Sequence, residues 1–328
     1  MIILPEDLIQ EILLRLPVRS LLRFKCVCKS WHSIVSNPQF AKFHFDLAAE
    51  PTNRLLLRFS QGSKAKSIDI EAPLHDESTS VVLNIPLPPL ALNYRCWTRI
   101  AGSCRGFILL TDELLDFFFD FVIWNPSTGY HKRINNVPMY PDLCGFGYDS
   151  SNDDYVVVNM SPSHGLFLNG ALHWLVVKSH DNTGVIVAFD VMEKKLTEIS
   201  LPRDVAVASK SKFYRLRIMG GCVCICFKGY RTPMLELWMM KKYKVQSSWT
   251  KSFVRFTDHY HSFSTFTPIC FTQNGEILGS DDAKTLRKLN DKGELLEHRT
   301  HGLETRRFDG LLHCGLYRES LLTLSGSN

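Results

Sequence analysis

Nothing in this sequence is long and apolar enough to cross a membrane as a helix. The greasiest stretch, residues 114–124 (LLDFFFDFVIW), falls well short of the ~20 residues a span requires and carries Asp116 and Asp120. The N-terminal run MIILPEDLIQEILLRLP is broken by Glu6, Asp7 and Glu11, so it offers no signal-peptide core, and neither end carries a lipidation signature. Charge of one sign is scarce too. Thirty-eight basic against 33 acidic side chains leave +5 over 328 residues, without the one-sided clustering that a nucleic-acid surface needs. A soluble protein of the cytoplasm and/or nucleus is expected, with no membrane and no nucleic acid as partner.

Cysteine is too sparse for a disulfide scaffold, with ten in the chain and no C-x-x-C pair. Cys26 and Cys28, and then Cys222, Cys224 and Cys226, stand in C-x-C spacing within apolar runs. In a strand the last three share one face, as small buried apolar residues in a reducing compartment. A zinc site would need a second ligand pair, for which only His259 and His261 present themselves, and no metal is expected. The phosphate-binding glycine loops, the G-x-S-x-G nucleophile elbow and H-E-x-x-H are all missing. Asp153-Asp154 and Asp281-Asp282 read as turn acids, and His173 in GALHWLVV as a satisfied core histidine. Lys241-Lys242 and the basic scatter from Lys284 to Arg307 read as solvated charge. No catalytic residue and no cofactor follow from any of these.

What is present divides in two. Up to about Phe45 the spacing is helical. Pro5 opens a run in which Leu8, Ile9, Ile12, Leu13 and Leu16 recur on one face, with Glu6 and Asp7 in the first turn, until Pro17 stops it. Ser20 can cap a second segment, SLLRFKCVCKSWHSIVS, as one bent helix or two short ones. Asn37-Pro38 starts a last amphipathic piece with Phe40, Phe43 and Phe45. A three-helix unit of this size cannot enclose all its apolar residues, so part of its surface needs a partner.

The segment LPEDLIQEILLRLPVRSLLRFKCVCKSWHSIVSNPQF resembles an F-box of the plant type. The likeness runs without a gap through Leu4-Pro5, Ile12-Leu13, Leu16-Pro17, Leu21-Leu22, Phe24, Val27-Cys28-Lys29 and Trp31. It implies docking to a Skp-family linker protein, and through it to cullin and RING subunits. The positions it assigns to that contact are Leu4, Pro5, Leu8, Ile12, Leu16, Pro17, Leu21, Leu22, Val27 and Trp31, with Phe24 and Ile34 expected inside the module.

From residue 46 onward short β-branched and aromatic runs alternate with turn residues, and one unit recurs. A glycine precedes an apolar strand, and a polar turn between two further strands follows: Gly106 with Asn125, Gly170 with Asp190, Gly221 with Met240, Gly275 with Asn290. Turn to turn the intervals are 65, 50 and 50 residues. A period near 50 with about four strands predicts a kelch-like β-propeller of five to six blades, whereas a β-sandwich would not repeat evenly. Most of Trp97, Trp124, Trp174, Trp238 and Trp249 are expected in blade cores, with one or two at the rim of a substrate pocket.

AGSCRGFILL, VIWNPSTGYHKRI, GFGYDSSNDDYVVV, LNGALHWLVV and VIVAFDVMEKKLTEISLP also resemble the F-box-associated domain of plant F-box/kelch-repeat and S-locus F-box proteins, weakening after about Pro202. One departure stands out. The family continues from its D-Y-x-V-V strand into another strand and turn, whereas here Val158 leads through NMSPSHG straight to Leu166. Against the 50-residue repeat, about 35 residues are absent, which predicts a truncated blade. The resemblance implies an F-box over 1–45 and a substrate-recognising β domain over 46–328. Together they make a non-catalytic substrate receptor of a ubiquitin ligase, with an unknown protein target. A propeller enzyme (hydrolase or oxidase) and a truncated paralogue without function remain as alternatives.

Overall fold

In the computed structural model the described residues are 5–47, 52–59, 63–86, 97–113, 118–138, 144–159, 164–178, 183–206, 214–228, 234–255, 266–281, 285–300 and 312–324. Four helices open the chain: α1 (Glu6–Leu14), α2 (Val18–Phe24), α3 (Lys29–Ser36) and α4 (Pro38–Leu47). Pro5 and Pro17 sit just outside α1 and α2, where a residue without an N–H costs nothing. The second segment is therefore two helices, and it starts at Val18, ahead of the expected cap at Ser20. Cys28 caps α3, its Sγ accepting from Trp31 N at 3.5 Å, and Asn37 Oδ1 accepts from Gln39 N at 2.8 Å at the head of α4. Cys26 and Cys28 are exposed, not buried as their apolar surroundings suggested, because the α2–α3 turn carries them outward.

The remainder is a ring of five sheets. The first takes β1 (Asn53–Phe59), β2 (Lys64–Asp69) and β3 (Val81–Asn84). The second is β4 (Trp97–Cys104), β5 (Phe107–Glu113), β6 (Phe118–Trp124) and β7 (His131–Pro138). Then comes a lone hairpin, β8 (Cys144–Asp149) and β9 (Asp154–Asn159), followed by β10 (His164–Leu168), β11 (Ala171–Val177), β12 (Gly184–Asp190) and β13 (Lys195–Ser200). A single turn of helix, α5 (Arg203–Ala206), leads into β14 (Tyr214–Met219), β15 (Cys222–Lys228), β16 (Met234–Met240) and β17 (Trp249–Arg255). The last sheet is β18 (Thr267–Phe271), β19 (Ile277–Asp281), β20 (Thr285–Leu289) and β21 (Leu295–Thr300). Finally β22 (Leu312–Arg318) returns to pair antiparallel with β1, Asn53 opposite Arg318 through Phe59 opposite Leu312, completing the first sheet and closing the ring.

The recurring glycine has a plain cause. Arg105-Gly106, Asn169-Gly170 and Gly220-Gly221 have φ of 44 and 84°, 49 and 74°, and 54 and 69°. These are two-residue hairpin turns of the mirror-image kind, whose twist matches paired strands. Five apolar seams lie between successive sheets. One joins Leu56 and Tyr317 to Ile108 and Trp124, and another Ile186 and Val205 to Ile225 and Trp238. A third joins Leu55 and Leu57 to Leu278 and Leu286, closing the circle. Cys224 and Cys226 face one seam together with partly buried Cys222, as alternation required. Burial pushes the Cys224 and Cys226 thiols up to about 12.

The truncation is visible in the strand order. The third sheet has six strands, β13-β12-β11-β10-β8-β9, because β8 pairs in parallel with β10 (Cys144 opposite His164, Gly145 opposite Gly165). The hairpin β8–β9 is half a blade, set between the second sheet and the third. Glycines let it in: a Cβ on Gly145 would lie 2.9 Å from the Leu172 side chain, and one on Gly165 would lie 2.6 Å from the Trp174 ring. The expectation of five to six blades resolves to five plus this remnant.

No described helix is long and apolar enough to cross a membrane. Among the described residues no cluster of His, Cys, Asp and Glu could hold a metal ion, and His259 and His261 lie outside them.

After β22 the chain runs through Glu319, Ser320, Leu321, Leu322 and Leu324, all buried. Asn125, 0 % exposed at the β6–β7 turn, holds this tail: its Nδ2 donates to Ser320 O and Oγ at 3.1 Å each and to Leu322 O at 3.0 Å. Replacing Asn125 by Ala should cost about 2–3 kcal/mol by stranding two buried carbonyls. A urea melt of the full chain measures this as a lowered midpoint with unchanged slope.

Candidate partner-docking site

Helical periodicity in α1 buries Leu13 completely while turning Leu8 and Ile12 outward, one turn apart and 50 % and 51 % exposed. Val27, in the α2–α3 turn, is 60 % exposed. Of the eleven large apolar side chains exposed among the described residues, five lie in the first 47 positions, so the helical module carries a disproportionate share of open apolar surface. Pro5 and Pro17 are exposed as well, and Leu16, Leu22 and Trp31 are half-buried. Phe24 meets Trp31 edge to face at 5.2 Å, and Phe24 and Ile34 pack on the module core as expected. Leu21 departs from the expected contact set. It is 0 % exposed, packed inward with Leu13 and Val18, and as folded it presents nothing to a partner. Leu4 lies outside the described residues.

The module does not hang free. Leu13, Leu21, Phe40 and Phe45 share one continuous core with Phe107 and Phe121 of the second sheet, Phe146 of the half-blade and the tail leucines 321, 322 and 324. The Phe45 ring is clasped by two guanidinium groups, Arg318 at 4.1 Å and Arg105 at 4.7 Å, and Arg105 also lies 4.5 Å over Tyr148. Arg105 Nη2 donates to Asp46 at 3.2 Å, and Arg318 donates to the Phe45 carbonyl. Asp153, expected as a plain turn acid, instead binds Lys42 of α4 and accepts from Tyr148 Oη at 2.5 Å. On the other flank Arg19 Nε donates to Glu319 Oε1 at 3.1 Å, and Arg54 Nε stands 3.5 Å from the same oxygen. Burial pushes the Glu319 carboxyl up, while Arg54 and Arg19 pull it back. A cleft of about 270 Å³ opens here between Arg19, Leu22 and Arg23 of α2, Ser67 and Tyr317 of the first sheet, and Glu319 of the tail.

None of these joint residues was singled out by sequence reasoning for this role. The contacts that span the joint are distant in sequence, 59 positions for Arg105–Asp46 and 300 for Arg19–Glu319, and no local pattern marks an arginine that will find a phenylalanine across the fold. Asn125 was visible only as a turn residue. The basic scatter also proves partly structural. Lys288 is 2 % exposed and donates to Ala72 O at 2.7 Å, while Arg299 donates to Leu74 O at 2.7 Å and pairs with Glu77, both tying the last sheet to the first. His173 is the satisfied core histidine expected, 0 % exposed, with Nδ1 3.1 Å from Leu166 O and Nε2 2.8 Å from Tyr243 Oη. Trp124 and Trp174 are core residues as expected, and the Trp97 side chain lies outside the described set.

With this geometry in hand, comparison with known proteins is direct. The F-box domain family matches residues 1–43, and the F-box associated beta propeller domain family matches residues 160–285. The chain carries an F-box domain followed by an F-box-associated β-propeller domain. It is similar to an F-box/kelch-repeat protein of Arabidopsis thaliana, 28% identical over 307 residues that cover 76% of this chain and 78% of the relative. The F-box protein CPR1 of the same plant is 23% identical over 354 aligned positions, covering 88% of this chain and 80% of its own length. That alignment has more positions than this chain has residues, so the relative carries segments missing here. Among solved structures, TolB of Acinetobacter baumannii aligns at a TM-score of 0.46 and 10% identity, over 81% of this chain and 66% of that one.

Two buried histidines make the protein acid-sensitive. His44 of α4, with Nε2 2.8 Å from Leu16 O, and His173 are both held below the ordinary histidine value by burial. Below about pH 6.5 the unfolded chain takes up protons that the folded chain refuses, so stability falls as pH drops through that window. Thermal melts from pH 7.5 to 5.5 should show a falling midpoint. The double variant His44→Gln/His173→Gln, though less stable at pH 7.5, should show a shallower fall.

Proposed function

We propose that this protein is a substrate-receptor subunit of a Skp/cullin/F-box ubiquitin ligase. Its helical module docks the Skp-family linker, and its propeller recruits a protein target. The observation that carries the reading is the pair Leu8 and Ile12, two large aliphatic side chains left half in water on a helix whose Leu13 is sealed in the core. The core that the F-box shares with the propeller leaves these two side chains outside it, and desolvating them against a partner is favourable. Pro5, Leu16, Pro17, Leu22, Val27 and Trp31 surround or extend that contact, with Leu4 ahead of them. Leu21 supports it from beneath. The division of labour falls near residue 45, with the linker on one side and the target on the other.

The receptor itself makes and breaks no bond. Holding a target beside a charged ubiquitin-conjugating enzyme raises the effective concentration of the target's lysines, which is the whole of its contribution. The shared core and the Arg105–Phe45–Arg318 stack suit that task, since a rigid joint between the two parts holds the target in one orientation. A cytoplasmic or nuclear setting fits, where the linker and cullin operate.

Calorimetry of the full chain with a recombinant Skp-family linker is the test. Wild type should bind, and Leu8→Asp/Ile12→Asp should weaken binding by about 100-fold or more, as expected when two central apolar contacts are lost. Because both side chains are exposed, the melting temperature should stay nearly unchanged. Absent wild-type binding, or equal binding by the double variant, would overturn the assignment.

A further inference from the structure

In the complete sheets the second strand from the axis has a run of sealed residues. Leu55, Leu56 and Leu57 of β1 are each 0 % exposed, as are Phe107 to Leu110 of β5. Ala171, Leu172 and Trp174 of β11 are at most 1 % exposed, and Val223 to Cys226 of β15 at most 3 %. β9 holds the equivalent place in the half-blade, yet Tyr155, Val156, Val157 and Val158 are all only partly buried. The cause lies in the strand order. β9 is the last strand of its sheet, paired with β8 on one edge, and no described strand pairs with the other. Only residues 160–163 separate its end from β10, so the third and fourth strands that follow every other second strand have no counterpart.

We infer that the outer edge of β9 is a docking site for an extended peptide segment, which adds to the half-blade as its third strand. Several features define the occupant. Among the described residues no strand takes this edge of the six-residue strand Asp154–Asn159, whose outward peptide groups are open to pairing apart from the Tyr155 N–H, which donates to Asp154 Oδ1 at 2.8 Å. The strand is DYVVVN, β-branched and without the lysine, arginine or proline by which exposed edges normally resist pairing. Its side chains serve two seams in alternation: Tyr155 and Val157 pack toward the second sheet and the helical module, Val156 and Val158 toward Trp174 of the third. A strand added beside β9 would thus have an apolar wall on either side, including Ile134 of β7 and Phe189 of β12. Both flanking blades extend two strands beyond the level of β9, about 10 Å further from the axis, which favours a single extended chain over a second propeller.

The third strands of the complete blades show what chemistry fits such a place. In the two blades that flank the half-blade they read FFDFVIW and GVIVAFD, and in the fourth sheet MLELWMM, near-continuous apolar runs, whereas β2 (KAKSID) and β20 (TLRKL) carry charged residues. The segment that β9 accepts is accordingly five to seven residues, extended, apolar on both faces and without proline. This deepens the proposed function, on which its biological meaning rests, by naming the kind of target segment the propeller takes. Its test leaves the linker out, so the two can fail separately.

The probe is a fluorescein-labelled peptide copying residues 184–190 of this chain (GVIVAFD), titrated with the full-length protein and followed by anisotropy and by hydrogen exchange. Binding is expected with slowed exchange at residues 154–159, and a peptide with proline at its fourth position should bind at least about 10-fold more weakly. A variant with an apolar strand and turn inserted between Asn159 and His164 fills the edge internally. It should melt at a higher temperature and lose the peptide. Equal binding of the proline peptide, protection away from residues 154–159, or peptide binding undiminished in the insertion variant would each overturn the proposal. So would absent binding accompanied by a β9-dependent dimer in light scattering, which would make a second copy the occupant. Absent binding by a well-folded monomer would overturn it as well.

Discussion

The antiparallel pairing of β22 with β1 is the constraint on which the remaining structure depends. Seven registered pairs, from Asn53–Arg318 to Phe59–Leu312, join the two ends of the β domain and turn a row of sheets into a ring. Loop-closure entropy makes so distant a contact costly until many others reward it together. The rewards are on either side of the seam. Arg54, buried within β1, reaches Ser67 and Thr79, and Tyr317 Oη meets Ser67 Oγ at 2.8 Å. Lys288 and Arg299 bring the last sheet onto the loop that follows β2.

The same closure builds the joint to the F-box. Arg318 is the last residue of β22 and lies over Phe45, Glu319 takes Arg19, and the leucines that follow enter the core shared with α1, α2 and α4. The F-box is small for independent stability, and the propeller supplies the missing half of its core. The result is one continuous core, with the apolar side chains exposed at Leu8 and Ile12 on a module packed against the propeller. Buried arginines here are tolerable because each is matched by rings, carbonyls or the Glu319 carboxylate.

The half-blade shows how a propeller accommodates a short blade. Removing the two outer strands of a blade leaves the inner pair, which the ring keeps by pairing β8 with β10 and by thinning the contact to glycines 145, 147 and 165. The ring stays closed because closure depends on inner strands, and the outer ones mainly cover apolar surface. What remains uncovered is the edge of β9.

Much of this was legible in the linear pattern, for reasons that are local. Leucine spacing and prolines set α1 and its limits, a glycine that must take positive φ marked each hairpin, and a 65-residue step among 50-residue ones revealed the shortened blade. The F-box motif itself was legible, since its order is carried in forty consecutive positions. Tertiary structure decided the rest. Leu21 and Leu8 look equivalent in the sequence, yet one is sealed and the other is open, because burial depends on which helix face meets α4 and the propeller. Asp153 and Lys288 read as solvated charge until the fold gave them partners 111 and 216 residues away. Periodicity records which residues want cover. Only the packed chain determines which of them receive it from the protein itself and which are left for something else.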